Sequence, residues 1–357
     1  IIKMQKSIVD ISWKIDEAGY RKDPALSYST LAKFEREGFH KLDTLFDKVE
    51  TSSLILGSMV DTLITGSKEE FDELFFVADF PLIPDNESDV VKDIYNNSPK
   101  NIINLKDVDP KIILDSCNRL SYRNNWKDQT RIDKIIQDGE EYFGILSVSE
   151  NKKVVSSEDY KKAVLCKQAI EYSPATKKFF KGDPFDDDDV ERLFQLKFKS
   201  DDLIKGISLR CMADLIYVDH KAKTIQPIDL KTSSHYEDEF YKSFIQWRYD
   251  IQGRLYWRLI NETVSKDDYF KDFKVLPYKF VVVNKENLTP LVWDFSNSIT
   301  KGDLQFVSAT DHYTTYLRDP FAIAQDLFKY LNTKPTVQKG IKAGLDESNS
   351  IEEWLVK

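Results

Sequence analysis

The chain has 357 residues, of which 41% are hydrophobic and 31% are charged, and its formal net charge is −9. This composition is typical of a globular protein, built as one elaborated domain or as a core with an added lobe. The acidic balance argues against a protein that coats DNA, although it is compatible with an enzyme whose binding channel is locally basic. No apolar run approaches the ~18 residues of a membrane helix, so we expect no membrane segment.

The N-terminal part predicts helices and loops. Residues 1–80 indicate an extended lead-in and two helices, the second of which carries Asp61. Residues 81–150 mix polar loops with short apolar stretches, and YFGIL within them and the KKVV directly after them are candidate strands. A long helix is predicted over 157–181, before Gly-Asp-Pro. We therefore take 1–185 as a helical elaboration that precedes the core.

The next segments predict a β-hairpin. Residues 193–199 are the candidate first core strand, and residues 207–218 and 224–232 are rich in β-branched and apolar side chains. The Asp-His-Lys-Ala-Lys between the last two is typical of a turn. An antiparallel pairing of residue 219 with residue 224 would fix the register of the hairpin.

In that register three charged side chains converge. Asp214 lies opposite Asp229, and directly opposed residues share a face with their Cβ atoms ~5 Å apart. Lys231 lies two residues after Asp229, so it shares the same face. The alternative is a surface hairpin that carries an ordinary salt bridge.

Such a group of charges is typical of a metal site. Two carboxylates this close repel each other unless a cation lies between them. Mg²⁺ prefers oxygen ligands, takes one or two carboxylates, and leaves positions for water and a substrate phosphate. A metal-bound water can then attack a phosphodiester. Lys231 could orient that water, help to deprotonate it, or stabilise the phosphate oxygens.

A helix is predicted after the hairpin. Ser234 and Glu237 form a potential capping box, and an apolar stripe follows at helical spacing. Gln252 and Tyr256 are four residues apart and therefore neighbours on this helix. They could hydrogen-bond a DNA backbone or steady Lys231, or they could be two amphipathic residues at the side of a helix.

The remaining sequence completes an α/β fold. Residues 278–284 and 289–295 predict a second hairpin, and residues 312–331 predict a helix. We expect a central mixed sheet flanked by helices, with its core over 186–335 and a polar tail over 336–357.

The order of these motifs resembles the PD-(D/E)xK nuclease superfamily. GISLRCMADLI, IDLKTSS and FIQWRYDIQGRLYW are similar to the core motifs of RecE-type and lambda-type 5′–3′ exonucleases and of the RecB nuclease domain. LSYSTLAKFEREG and LILGSMVDTLITGSKEEFDELFFV resemble their upstream helices. The resemblance implies a restriction-endonuclease-like core and a metal-dependent exonuclease for linear duplex DNA. It further implies a homo-oligomeric ring, a single-strand annealing partner, and a phage or prophage role in recombination or replication in the bacterial cytoplasm.

The predicted site combines the motif residues with nearby basic side chains. The predicted catalytic residues are Asp214, Asp229, Lys231, Gln252 and Tyr256. The predicted ligands of Mg²⁺, for which Mn²⁺ could substitute, are Asp61, Asp214, Asp229 and the carbonyl of Leu230. The predicted DNA-binding residues are Lys199, Arg210, Arg248 and Arg254.

Two departures from the family pattern leave alternatives open. Asp61 stands where the family commonly has histidine, and Gln195 stands where many relatives have an acidic residue. These changes could compensate each other. They could also mark a nuclease-like DNA-binding or structural protein with weakened catalysis. An endonuclease or repair nuclease on the same fold is a further alternative. The three cysteines lie far apart, which argues against an iron–sulfur cluster and fits a reducing cytoplasm.

Overall fold

The computed structural model describes most of the chain as two compact units. The described residues are 5–47, 51–79, 83–149, 152–182, 189–308 and 312–333. The first unit comprises Ile1–Gly57 and Cys166–Lys357, and the second comprises Ser58–Leu165. The predicted tail over 336–357 lies outside the described residues.

The units divide the chain differently from the predicted boundary at 185/186. The N-terminal segment belongs to the first unit because it pairs with the core strands. Trp13 donates its backbone N–H to the carbonyl of Lys197 at 2.7 Å. Leu26 forms a parallel bridge with Leu209. The helical elaboration is thus split between the two units.

Twelve α-helices and ten strands are present in the described part of the chain. The α-helices are α1 (Glu17–Lys22), α2 (Tyr28–Glu37), α3 (Ser52–Thr65), α4 (Lys68–Leu74), α5 (Asp85–Asn97), α6 (Pro110–Arg119), α7 (Asp128–Val148), α8 (Ser157–Tyr172), α9 (Lys177–Phe180), α10 (Phe240–Gln246), α11 (Tyr249–Ser265) and α12 (Pro320–Leu331). The strands are β1 (Phe75–Val77), β2 (Lys153–Val155), β3 (Val190–Ile204), β4 (Ile207–Asp219), β5 (Thr224–Ser233), β6 (Lys274–Val275), β7 (Lys279–Asn284), β8 (Pro290–Asp294), β9 (Leu304–Val307) and β10 (Thr314–Leu317).

The first unit contains a mixed six-stranded sheet flanked by helices. Its main order is β3-β4-β5-β7-β8, and β6 pairs with β5. The β3/β4, β4/β5 and β7/β8 pairs are antiparallel, whereas β5 is parallel to β6 and β7. A parallel connection needs a crossover, and α10 and α11 lie between β5 and β7 in the chain. The α/β class with a mixed central sheet is therefore confirmed.

The predicted hairpin of β4 and β5 has the expected register. Its pairing runs from Asp219↔Thr224 to Leu215↔Ile228. The turn is closed by the carboxylate of Asp219, which accepts the N–H of Ala222 at 2.7 Å. Short polar side chains that bond to a nearby backbone amide favour such turns, which explains why this one was visible in the sequence.

The helix predicted after β5 is broken into two. Arg248 has a left-handed φ of +55°, and it separates α10 from α11. The predicted Ser234 capping box is wrong, because a short 3-10 turn begins after Tyr236 and that residue makes no side-chain cap. The apolar stripe does pack as predicted: Ile251, Leu255 and Leu259 are fully buried in the core of the first unit.

The second unit is mainly helical. Its core lies between α5, α6 and α7, where Val90, Ile94, Ile113 and Phe143 are fully buried. The strands β1 and β2 pair in parallel. The predicted KKVV strand is present, whereas the YFGIL segment lies in α7. An apolar run of five residues cannot by itself distinguish a strand from one turn of a buried helix.

Two other helix predictions need correction. The helix expected over 157–181 ends at Tyr172, and α9 follows it as a separate turn. The region 312–331 contains the strand β10 before α12 begins at Pro320. In the parts of the chain that are described, no helix is both long and apolar enough to cross a membrane.

Candidate active site

The regular pairing of β4 is broken at Asp214. The β3–β4 ladder skips the facing pair of Gln195 and Asp214, although the register is the same on either side, and the backbone of Gln195 has a φ of +53°. The β4–β5 ladder ends at Leu215↔Ile228, one residue before Asp214. A non-glycine residue in the left-handed region costs ~1 kcal/mol or more. Backbone strain thus lies across from the predicted catalytic aspartate.

The side chains of β4 that join the main core of the first unit change parity across this break. Before it, that core contains the odd-numbered Leu209, Cys211 and Ala213. After it, that core contains the even-numbered Ile216 and Val218, whereas Leu215 is fully buried outside this cluster. Side chains of a regular strand alternate strictly between faces, so the break changes which side of the sheet each residue meets.

The carboxylate of Asp214 reaches across to β5. Its Oδ2 accepts the backbone N–H of Leu230 at 2.8 Å. Leu230 separates Asp229 from Lys231, so this hydrogen bond fixes Asp214 beside the Asp-Leu-Lys segment. The structure therefore brings the three charged residues together, through a side-chain contact instead of a facing pair. The predicted role of the Leu230 carbonyl as a ligand stays a prediction.

Asp229 is the most enclosed member of the group. Its side chain is 0% exposed and forms an ion pair with the Lys231 ammonium. Gln252 of α11 donates its side-chain amide to Asp229 Oδ1. Through this hydrogen bond α11 fixes the carboxylate of Asp229 on β5. Gln252 therefore contacts Asp229 and does not support Lys231 directly.

Lys231 is held as a cation. Burial by itself lowers its pKa, but Asp229, Tyr249 and Asp214 together raise that pKa above the ordinary lysine value. Its ammonium also lies 5.0 Å from the ring centroid of Tyr249, a favourable cation–π distance. A lysine with a raised pKa keeps its proton, which argues against the predicted help in deprotonating a water.

Two tyrosines close the inner side of the site. Tyr256 is only 7% exposed, and its ring packs edge-on against Tyr278 at 6.0 Å. Burial first, with Asp229 and Asp214 among the further causes, raises the pKa of both phenols. The suggestion that Tyr256 touches DNA is therefore wrong, because a buried ring cannot reach a DNA backbone.

The donor set fits a hard cation in part. Among the described residues, the Oε1 of Gln252 and the hydroxyl of Tyr278 are buried without a hydrogen-bond partner, and the buried Oδ2 of Asp229 contacts the Lys231 ammonium. Oxygen atoms of this kind are the ligands that Mg²⁺ prefers, directly or through water. In the described chain, no group of three or more His, Cys, Asp and Glu side chains is arranged to hold a metal. Asp214 and Asp229 with the Gln252 amide oxygen are thus the available candidates.

Asp61 belongs to a different compact unit. It lies on α3 within the second unit, whereas the site lies in the first. Its predicted role as a metal ligand stays a prediction.

The predicted DNA-binding residues are mostly engaged within the protein. Arg254 is 0% exposed and donates to the carbonyl of Arg318 at 2.9 Å, so its assignment as a DNA contact is wrong. Arg248 is also buried, and it pairs with Glu35 at 3.0 Å and with Asp250 at 2.8 Å. The spacing of residues along a helix does not show whether an arginine at the edge of the apolar face is buried or exposed.

The other two predicted cations are partly exposed. Lys199 pairs with Asp23 at 2.8 Å. Arg210 donates its Nε to the carbonyl of Ala25 at 3.0 Å and lies over the ring of Tyr20. They line the junction between β3, β4 and the N-terminal segment, and a role for them in binding DNA stays a prediction.

Tyr249 and Tyr278 complete the site, but neither was predicted from the sequence. Tyr249 lies three residues before Gln252, and this helical spacing was the available signal. Tyr278 lies two residues before Phe280, which pairs directly with Asp229. The strand period of two places Tyr278 on the same face, but only after the parallel β5/β7 pairing is known.

A scan against protein-family models finds no match, and a comparison with curated proteins finds none either.

Proposed function

We propose that the chain is a metal-dependent deoxyribonuclease with a restriction-endonuclease-like core. Its proposed reaction is exonucleolytic hydrolysis of linear duplex DNA, with 5′–3′ polarity, in phage-type recombination or replication in the bacterial cytoplasm. The observation that carries this proposal is the meeting of Asp214, Asp229, Lys231 and Gln252 at the break in β4. A strained break that collects two carboxylates and a lysine is costly for stability, which favours a functional explanation.

The chain's own residues have distinct proposed roles. Asp214 and Asp229 would hold Mg²⁺ or Mn²⁺, and Gln252 would fix the orientation of the Asp229 carboxylate through its amide. A bound metal would supply an activated water and neutralise charge on the scissile phosphate. Lys231, because it stays protonated, would stabilise negative phosphate oxygens or orient the water.

Cleavage assays with Asp229→Ala test this proposal. The substrates are an end-labelled linear duplex and a covalently closed circular duplex, each with Mg²⁺. We expect the wild type to degrade the linear duplex and the variant to lose that activity while remaining folded. Asp268→Ala is the control, because the Asp268 side chain is fully exposed and pairs with Lys271 at the surface. Normal degradation by Asp229→Ala refutes the site, and cleavage of the closed circle favours an endonuclease.

One observation favours a second candidate, a nuclease-like DNA-binding protein without catalysis. The Lys231 ammonium pairs with the Asp229 carboxylate and so supplies a counter-charge of the kind that a metal would otherwise provide. Calorimetric titration with Mg²⁺ and Mn²⁺ separates the two candidates. Metal uptake that is lost in Asp214→Asn supports the nuclease, whereas no uptake supports the non-catalytic protein.

An exonuclease that acts on DNA ends would have two kinds of partner. A homo-oligomeric ring around the duplex and a single-strand annealing protein would suit an exonuclease that exposes one strand. Both are proposals that rest on the family resemblance.

A further inference from the structure

The break between α10 and α11 is held in place from α2. Tyr28 donates its hydroxyl to the carbonyl of Trp247 at 2.8 Å, and Arg36 donates to the same carbonyl at 3.4 Å. Glu35 pairs with the strained Arg248 at 3.0 Å. Three contacts from α2 therefore fix the backbone at the point where α10 and α11 are separated.

The fixed backbone presents an aromatic side chain to solvent. The Trp247 side chain is 44% exposed, although its backbone is firmly anchored. The guanidinium carbon of Arg36 lies 5.2 Å from its ring centroid. Arg36 is itself exposed, and among the described residues it has no carboxylate partner. An arginine over a tryptophan, with its charge unpaired, offers a stacking surface next to a phosphate-binding group.

This pair lies next to the candidate active site. Tyr249, two residues after Trp247, lies beneath the Lys231 ammonium. Tyr28, which holds the Trp247 carbonyl, packs its ring against Tyr249 at 6.4 Å. The same short segment thus supports both the catalytic lysine and the exposed tryptophan.

We propose that Trp247 and Arg36 form a binding site for an unpaired nucleotide of the DNA substrate. The base stacks on the Trp247 ring, and the guanidinium of Arg36 pairs with an adjoining phosphate. Aromatic faces bind bases without sequence preference, because every base has a π-face. This inference rests on the proposed nuclease function. It implies that the substrate strand reaches the active site as single-stranded DNA.

A second tryptophan–arginine pair provides a matched control. Trp126 is 37% exposed, and the guanidinium carbon of Arg123 lies 4.1 Å from its ring centroid. Arg123 differs from Arg36 because its charge is paired with Glu87 at 3.2 Å. If any exposed tryptophan beside an arginine bound DNA, both pairs would matter equally.

The test measures binding of a labelled single-stranded oligothymidine by fluorescence anisotropy, in EDTA so that no cleavage occurs. We expect Trp247→Ala to weaken binding by about 5-fold to 100-fold, the range for the loss of one base–aromatic stack. Trp247→Phe keeps a ring and is expected to lose less. Trp126→Ala is expected to bind like the wild type. Arg36→Gln is expected to lower the slope of log affinity against log salt by about 0.7, the contribution of one single-strand phosphate.

Each outcome decides the inference. Wild-type affinity in Trp247→Ala, or an equal loss in Trp126→Ala, overturns it. A loss in Trp247→Ala that Trp247→Phe partly restores supports a stacking role and excludes misfolding as the cause. If Asp229→Ala still degrades DNA, the proposed catalytic site fails while the binding result stands. If Asp229→Ala is inactive and Trp247→Ala binds normally, only the nucleotide site fails.

Discussion

The buried pair of Asp229 and Lys231 can be tested by a double-mutant cycle on stability. Asp229→Asn removes the ion-pair partner of the Lys231 ammonium and leaves Asp214 as the remaining negative charge beside it, and Lys231→Met leaves the Asp229 carboxylate with the Gln252 amide. Removing one member of a buried ion pair typically costs 3–5 kcal/mol, because the remaining charge is desolvated and unpaired. The double variant removes both charges of the pair and leaves Asp214, whose carboxylate keeps the backbone N–H of Leu230. Buried pairs replaced by neutral groups are often nearly neutral for stability.

The structure sets where in that range each variant falls. The Lys231 side chain is 17% exposed whereas that of Asp229 is 0% exposed. The stranded lysine can reach water, so we expect Asp229→Asn to cost about 3 kcal/mol. The stranded aspartate cannot, so we expect Lys231→Met to cost about 4 to 5 kcal/mol. With the double variant within ~1 kcal/mol of the wild type, the coupling energy of the pair is large.

Urea denaturation measures these free energies. Tryptophan fluorescence and far-UV circular dichroism should be followed together, because the chain has two compact units and a single free energy requires coincident transitions. If each single variant lowers the free energy of unfolding by less than ~1 kcal/mol, or if the double variant lowers it by the sum of the two, Asp229 and Lys231 are not energetically coupled.

The remaining predictions concern packing, backbone strain and pH. Gly139→Ala should destabilise the protein by about 1 to 3 kcal/mol because a Cβ there would lie 2.5 Å from Val91 Cγ2. Gly144→Ala on the same helix, where the nearest atom is 3.9 Å away, should stabilise it by about 0.5 to 1 kcal/mol, as urea midpoints will show. Lys223→Gly should add about 0.5 to 1 kcal/mol by relieving a φ of +52° at an exposed turn, and no gain in thermal midpoint would contradict this. The contribution of the buried tyrosines to stability should be full below pH ~10 and be lost as the pH rises further, because burial raises the phenol pKa in the folded state while the unfolded chain ionises near pH 10. Urea midpoints across this range test it for the buried tyrosines Tyr20, Tyr142, Tyr256 and Tyr278.

The sheet and hairpin were predictable because their signals are local. Asp219 closes the β4–β5 turn with its own side chain, and the register then follows by counting to Leu215. That register brings Asp214 near Asp229 and Lys231, but the contact itself is the side-chain hydrogen bond from Leu230 N–H to Asp214, which strand counting did not predict. Strand period and turn chemistry act over a few residues, so a single sequence carries them.

The helix break was not predictable because its cause is distant in sequence. The stripe of Ile251 and Leu255 is continuous with the apolar residues of α10, and no glycine or proline marks an end. The strained Arg248 is stabilised by Glu35, a residue more than two hundred positions earlier. Tertiary ion pairs of this kind override local helix preference, and only the folded structure reveals them.

Tertiary contacts of the same kind engage the arginines of α11 and its N-terminus inside the protein. Arg248 and Arg254 were predicted to bind DNA, and Arg258 lies one turn further along the helix. Each of these arginines instead meets a carboxylate or a carbonyl from α2 or from the segment before α12. Any positive surface near the site must therefore come from side chains whose charges are not paired inside the protein, and Arg36 beside Trp247 meets that condition within the described residues.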